Sequence, residues 1–253
     1  MMTAGETATD RTVMALTGID ALSFLQGMLS NDVLPLGKGP GIVWTALLTP
    51  QGKYLADFFV VATPDALLID IKSTIAETTL RRLTMYRLRA DVQITPTALA
   101  VTRGLGEPPA TTFADPRHPA LGWRKYGPPG TTPAIDWDAI RVMHCIPETG
   151  IELIPDDSYL LESGFERLHG VDFRKGCYVG QEVTARMKHK TDLRKGLIRV
   201  KISGNAPVGT PILSGDKPSG TLFTQSGAHA IAYLRFDRLD GPLTAGGAQV
   251  IPE

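Results

Sequence analysis

Apolar positions recur along the chain with two periods, and each period predicts its own kind of element. Thr12–Leu16 reads as a short strand, and Thr17-Gly-Ile-Asp20 as a turn that places Asp20 to N-cap a helix over Ala21–Leu29. Leu22, Leu25 and Leu29 give that helix its apolar stripe, and Ser30-Asn31-Asp32 breaks it. Trp44–Thr49 and Tyr54–Ala62 predict two strands joined by a hairpin turn at Pro50-Gln-Gly-Lys53, followed by a strand over Ala66–Ile71. Helical spacing returns over Ser73–Arg87, where Ile75, Leu80, Leu83 and Tyr86 are apolar, and strands follow at Asp91–Ile94 and Leu99–Thr102. Residues 104–134 carry Pro108, Pro109, Pro116, Pro119, Pro128, Pro129 and Pro133 among Gly and Thr, which predicts a long irregular connection. Trp137–Cys145 is helical in pattern, as is Gln181–Lys188. Beyond that the chain alternates strictly over Leu197–Ile202, and short strands separated by Gly/Pro/Ser turns run to the end. This is the pattern of a small barrel.

Composition narrows the class without naming a function. The chain has 253 residues, 43% hydrophobic and 21% charged, enough to bury a sizeable core. Lys+Arg and Asp+Glu both number 26, so the global charge calls for no nucleic acid or other polyanion. Locally the balance shifts: ten Lys/Arg lie between Arg167 and Lys201 against Asp172, Glu182 and Asp192, and Arg81, Arg82, Arg87 and Arg89 form a second basic cluster. Such blocks are solvated faces or mouths that attract an anion. No apolar run reaches the ~18–20 residues of a membrane span, and Met1–Asp10 lacks the pattern of a signal peptide. Cys145 and Cys177 form no CxxC pair, which points to a reducing compartment. A cytoplasmic protein is expected.

The densest chemistry lies in Lys175-Gly-Cys-Tyr-Val-Gly-Gln-Glu182. A segment that only packs does not need a cation, two glycines, a thiol, an aromatic ring, an amide and a carboxylate within eight positions. Paired glycines indicate unusual dihedrals or a close backbone approach. A thiol reacts as thiolate, which a neighbouring cation such as Lys175 favours. A glycine-rich turn capping a helix, with Cys177 as a small hydrophobe, is the alternative.

This octapeptide resembles the signature of the YgfZ-type folate-binding proteins, relatives of the glycine cleavage T-protein (aminomethyltransferase). Phe24-Leu-Gln-Gly-Met-Leu-Ser-Asn-Asp-Val33, Ala46-Leu-Leu-Thr-Pro-Gln-Gly-Lys-Tyr-Leu-Ala-Asp57, Tyr86-Arg-Leu-Arg-Ala-Asp91, Ile146-Pro-Glu148 and Glu182-Val-Thr-Ala-Arg-Met187 agree with that family in order and spacing. The resemblance implies an α+β fold: a T-protein-like ring of two α+β domains with antiparallel sheets, plus a C-terminal β-barrel. The corresponding division is 1–45 with 135–190, 46–134, and 191–253. It also implies tetrahydrofolate, or a one-carbon derivative, as cofactor, and a role in maturing or repairing iron–sulfur enzymes. Partners would be iron–sulfur assembly proteins or client enzymes, with no nucleic acid and no membrane.

Residue chemistry suits these expectations. A reduced pterin presents an N–H-rich edge that carboxylates can grip and faces on which aromatic rings can stack. Asn31, Asp32, Asp57, Glu148, Tyr178, Gln181, Glu182 and Arg186 are the candidate cofactor-binding residues, and Cys177 with Lys175 the candidate reactive pair. Arg186 and Lys188–Lys190 could hold a folate glutamate tail. Lys175 could pair with the Cys177 thiolate, with Glu182 or with a folate carboxylate. Glu162 stands where many members carry an asparagine-containing stretch, and it could substitute there. One thiol cannot hold an iron–sulfur cluster alone, and no Cys/His set completes one, so no resident metal site is expected. Whether the protein is an enzyme stays open. A one-carbon transferase of the T-protein kind is the alternative, and Ala56 beside Asp57 in place of an acidic pair argues against it.

Overall fold

The computed structural model describes residues 5–131, 134–190 and 192–253. Met1–Ala4, Pro133 and the side chain of Lys190, on which some sequence expectations rest, lie outside the described residues. The chain divides into two compact units, Met1–Ile135 with Glu166–Gln181, and Asp136–Phe165 with Glu182–Glu253.

The first unit holds two antiparallel sheets. Strands β1 (Glu6–Thr7), β2 (Arg11–Thr17), β3 (Gly41–Leu48), β4 (Tyr54–Ala62), β5 (Leu67–Lys72), β6 (Gln93–Pro96), β7 (Ala100–Gly104), β8 (Phe113–Ala114) and β9 (Trp123–Gly127) alternate with helices α1 (Ala21–Met28) and α2 (Ser73–Arg87). One sheet runs β3-β4-β5-β2-β6 and the other β1-β7-β9-β8. All nine residues of β4 are buried, as expected of a strand covered on both faces. Leu25 from α1, Leu29 just beyond its end and Leu83 from α2 pack with Leu47, Phe58, Val60 and Ile69 from the sheet in one core. The expected division at 45/46 falls inside β3, which pairs with β4 from Gly41↔Ala62 to Leu48↔Tyr54.

A buried ionic cluster ties the two sheets together. Asp70 on β5 accepts from Arg11 Nε (2.6 Å), Arg124 Nη2 (2.5 Å) and the Tyr126 hydroxyl (2.9 Å). Asp115 takes Arg117 in a two-pronged pair at 2.9 and 2.8 Å and reaches Arg124 at 3.4 Å. The three guanidinium carbons stand 5.5, 4.9 and 4.0 Å from the Phe59 ring centroid, which spreads their charge over an aromatic face. Burial alone would raise the Asp70 carboxyl, but Arg11 and Arg124 reverse that and hold it far below the usual carboxylate range. Asp115 is likewise lowered, with burial overcome by Arg117.

Two local expectations are corrected. The connection over 104–134 is not wholly irregular: β9 pairs with β7 from Ala100↔Gly127 to Gly104↔Trp123. Prolines and glycines on both sides hide its short alternation. Gly104 is required there, because a Cβ would stand 2.1 Å from the Trp123 ring. Asp20 precedes α1 but makes no side-chain cap; its Oδ2 accepts from the Asp91 amide at 2.9 Å.

In the second unit, α3 (Trp137–His144) and α4 (Gln181–Lys190, most of which lies in this unit) accompany β10 (Lys195–Ser203), β11 (Pro211–Ser214), β12 (Lys217–Ser226), β13 (His229–Arg235), β14 (Leu243–Ala245) and β15 (Ala248–Pro252). These six strands close into a barrel in the order β10-β13-β12-β11-β14-β15. Val200, Ile202, Leu222, Leu234 and Val250 fill its interior. Arg141 of α3, itself buried, donates to Glu152 (3.1 Å), the Ile146 carbonyl (2.9 Å) and Thr224 of β12 (3.1 Å), fixing the 146–152 turn against the barrel.

Candidate functional site

The octapeptide forms a loop braced on the C-terminal end of α1. Lys175 Nζ donates to the carbonyls of Gln26 (2.6 Å) and Leu29, groups left without partners where the helix stops. Gln26 answers: its Nε2 donates to the Lys175 carbonyl (3.1 Å), and its Oε1 accepts from the Val33 amide (3.0 Å). The Lys175 ammonium also lies 4.9 Å from the Tyr178 ring centroid, and Tyr178 itself is buried. Burial lowers the Lys175 pKa to about 8, with Asp32 and Asp172 opposing the shift.

Two glycines set the loop's course, as their spacing suggests. Gly176 has φ +92 and open space around it. Gly180 has φ +83, and a Cβ there would stand 2.5 Å from the Thr49 carbonyl in the β3–β4 turn. Between them Cys177 is exposed and in no disulfide. Gln181 then opens α4, its amide donating to the Tyr178 carbonyl at 3.2 Å. The loop is therefore anchored on both sides of a thiol that faces solvent.

Asn31 and Asp32 join this construction. Asn31 Nδ2 donates to the carbonyls of Trp44 (2.8 Å) and His169 (2.7 Å), while its Oδ1 accepts from the Asp32 amide (2.9 Å). Asp32 Oδ1 accepts from the Leu34 amide at 3.1 Å. Ser30, fully buried, donates to the Gly170 carbonyl at 2.7 Å, and its own carbonyl accepts from the Asp172 amide. These bonds fix the 166–175 segment along β3 and shape a cavity of about 560 Å³ lined by Asn31, Trp44, Glu166, His169, Asp172 and Arg174, among others. His169 holds φ +57, an uncommon conformation for a residue with a side chain.

Other candidates fall elsewhere. Asp57 is 5% exposed, and its carboxylate accepts from Trp44 Nε1 (2.8 Å) and the Tyr54 hydroxyl (2.7 Å). It supports the cavity wall at Trp44 rather than offering a free acid. Glu148 heads the 148–153 turn of the second unit, where its carbonyl accepts from the amides of Ile151, Glu152 and Leu153. Glu182 and Arg186 are exposed on α4. Glu162 accepts from the Tyr233 hydroxyl at 2.5 Å. Gln26, Ser30 and His169 were missed in the sequence. Gln26 lies inside the quoted Phe24–Val33 stretch, but its partner is 149 positions away.

Among the described residues no group of three or more His, Cys, Asp or Glu could hold a metal ion. Among the described residues no helix is long and apolar enough to cross a membrane.

Residues 194–253 match the family model described as the CAF17 C-terminal beta-barrel domain. The chain is 30% identical over 286 aligned positions to the human mitochondrial iron-sulfur cluster assembly factor IBA57, covering 95% of this chain and 80% of the human protein. It is 29% identical over 230 positions to the mitochondrial IBA57 homolog of Mycosarcoma maydis, covering 78% of this chain but only 57% of that relative. Among solved structures, the glycine cleavage system aminomethyltransferase T of Bartonella henselae matches with a TM-score of 0.75 at 12% identity, over 97% of this chain and 83% of that one, which shows the fold. The α+β reading with antiparallel sheets and a C-terminal barrel stands. The expected cytoplasmic location is corrected, because the human, mouse and fungal relatives bear mitochondrial names. Balanced charge and sparse cysteines do not separate one reducing compartment from another.

Proposed function

The chain belongs to the IBA57 family of iron–sulfur cluster assembly factors, and on that footing we propose that it is an accessory protein for maturing or repairing iron–sulfur enzymes, with Cys177 as its working thiol and a reduced folate as its bound cofactor. The observation that carries this reading is the exposed Cys177 on a loop anchored at Lys175, Tyr178 and Gly180. The exposed sulfur can meet a partner without disturbing the core. It can supply one ligand to a cluster whose remaining ligands come from a partner, since such clusters take about four.

The folate part draws support from the resemblance of the octapeptide to YgfZ-type proteins and from the cavity of the first unit. Its size lies within the range of small-molecule sites, roughly 300–1,000 Å³. Glu166 and Asp172 would grip an N–H-rich pterin edge, and Arg174 would meet a glutamate carboxylate. The donor set fits the ligand. A reduced folate, when bound, supplies a one-carbon carrier; the chain's own residues hold and orient it. The transferase alternative gains nothing from Asp57, whose carboxylate is taken up by Trp44 and Tyr54.

Calorimetric titration with tetrahydrofolate under reducing conditions tests the cofactor. Saturable binding that Arg174→Glu weakens at least tenfold (about 1.4 kcal/mol) supports it. Absence of heat from a folded, monodisperse sample removes folate from the account.

A further inference from the structure

Four large apolar side chains stand in solvent just before α1 and at the end of α2: Ile19 (91% exposed), Met85, Tyr86 and Leu88 (87% exposed). Exposed apolar residues scattered singly are ordinary, whereas a group rimmed by charge marks an interaction surface. The backbone brings Ile19 together with the end of α2, which carries the other three. Thr17 at the end of β2 pairs with Gln93 of β6, so the turns over Gly18–Asp20 and Leu88–Val92 leave the sheet side by side. Gly18, at φ +110, lies so close that a Cβ would stand 1.9 Å from the Asp91 carbonyl. The Asp20 amide donates to the Asp91 carbonyl (3.3 Å), and the Asp91 amide donates to Asp20 Oδ2 (2.9 Å). Ile19 and Leu88 are thus carried on two turns locked to each other.

Leu88 caps α2 at φ 49 and ψ −107, in a place where helices ordinarily put glycine. Its side chain is almost wholly in solvent, so the strain brings no burial in return. Strain of this kind gathers at binding surfaces. The charge around it is unevenly spent. Arg81 pairs with Glu77 (2.9 Å), Arg87 donates to the Val92 carbonyl (2.7 Å), and the Asp20 carboxylate holds the Asp91 amide. Arg82 and Arg89 remain, against the carboxylate of Asp91. Arginine, methionine and tyrosine are the side chains enriched where proteins meet.

We propose that this surface docks a protein partner through an acidic segment with apolar anchors: the anchors pack on Ile19, Met85, Tyr86 and Leu88, and the carboxylates pair with Arg82 and Arg89. The docking surface is independent of the thiol's chemistry.

The test uses the full chain and a fluorescein-labelled amphipathic peptide with Leu at helical spacing and Glu between, beside a control with each Glu replaced by Lys. The acidic peptide should bind and the basic one should not. Leu88→Gly should weaken binding about tenfold while raising the thermal midpoint, because glycine relaxes the strained position. Ile19→Asp and the double variant Arg82→Glu/Arg89→Glu should weaken binding in a folded protein, the double variant most at low salt. Equal binding of both peptides, no binding, or affinity unchanged in Leu88→Gly and Ile19→Asp would each overturn the proposal. Self-association of the chain that Leu88→Gly abolishes would overturn it too, in favour of a second copy as the occupant.

Discussion

Lys175 holds its ammonium against two helix-end carbonyls, in a place where burial opposes the charge. Its pKa of about 8 lies below the free value of 10.5, so the folded protein gives up this proton first as pH rises. Below about 8 both folded and unfolded chains carry it, and the burial penalty is fully present. Between about 8 and 10.5 the penalty is relieved, so the lysine's contribution to stability increases with pH across that window. Lys175→Met should flatten this increase, read as the unfolding midpoint against pH for both proteins, because it removes the titrating ammonium and its burial penalty together. Gly180→Ala forces a side chain into φ +83 and against the Thr49 carbonyl. It should cost at least ~1–3 kcal/mol in denaturant unfolding, whereas Ala at Gly176, which has room, should cost only the backbone strain. The octapeptide announces itself in the sequence through its composition. The direction in which its side chains face does not, because the partners of Lys175 lie 146 and 149 positions away.

At the scale of elements, the cluster over Phe59 couples β2, β5 and β9. Asp70→Asn leaves Arg11 and Arg124 buried with too little negative charge and should cost roughly 3–5 kcal/mol, measured by chemical unfolding. Asp70 and Asp115 both have depressed folded values. Their contribution is therefore present above the ordinary carboxylate value of about 3.9 and is lost as pH falls below it toward those values. Wild type should unfold in acid over that window, and Asp70→Asn should show a shallower loss there. Helices α1 to α4 and the long strands were legible, since their apolar periods run far enough to be read. β9 was not: five residues between Pro/Gly stretches carry too little pattern, and the strand exists because β7 offers it an edge. Nor does spacing reveal a cluster whose members come from four strands and a turn.

For the whole molecule, the barrel was legible from regularly spaced turns, and the T-protein-like fold and the kinship with iron–sulfur cluster assembly factors from one octapeptide with supporting stretches. The cellular compartment was not, because nothing in a buried core or a balanced surface encodes it. The central claim is that the Cys177 sulfur acts in iron–sulfur maturation. Cys177→Ser changes one exposed atom and leaves Lys175, Tyr178 and Gly180 in place, so it should fold as wild type does. The direct measurement is the activity of iron–sulfur enzymes in cells lacking this protein, after return of wild type, Cys177→Ser or Cys145→Ser at equal levels. Restoration by wild type and Cys145→Ser, with failure of Cys177→Ser, is the predicted result; full restoration by Cys177→Ser would contradict the account.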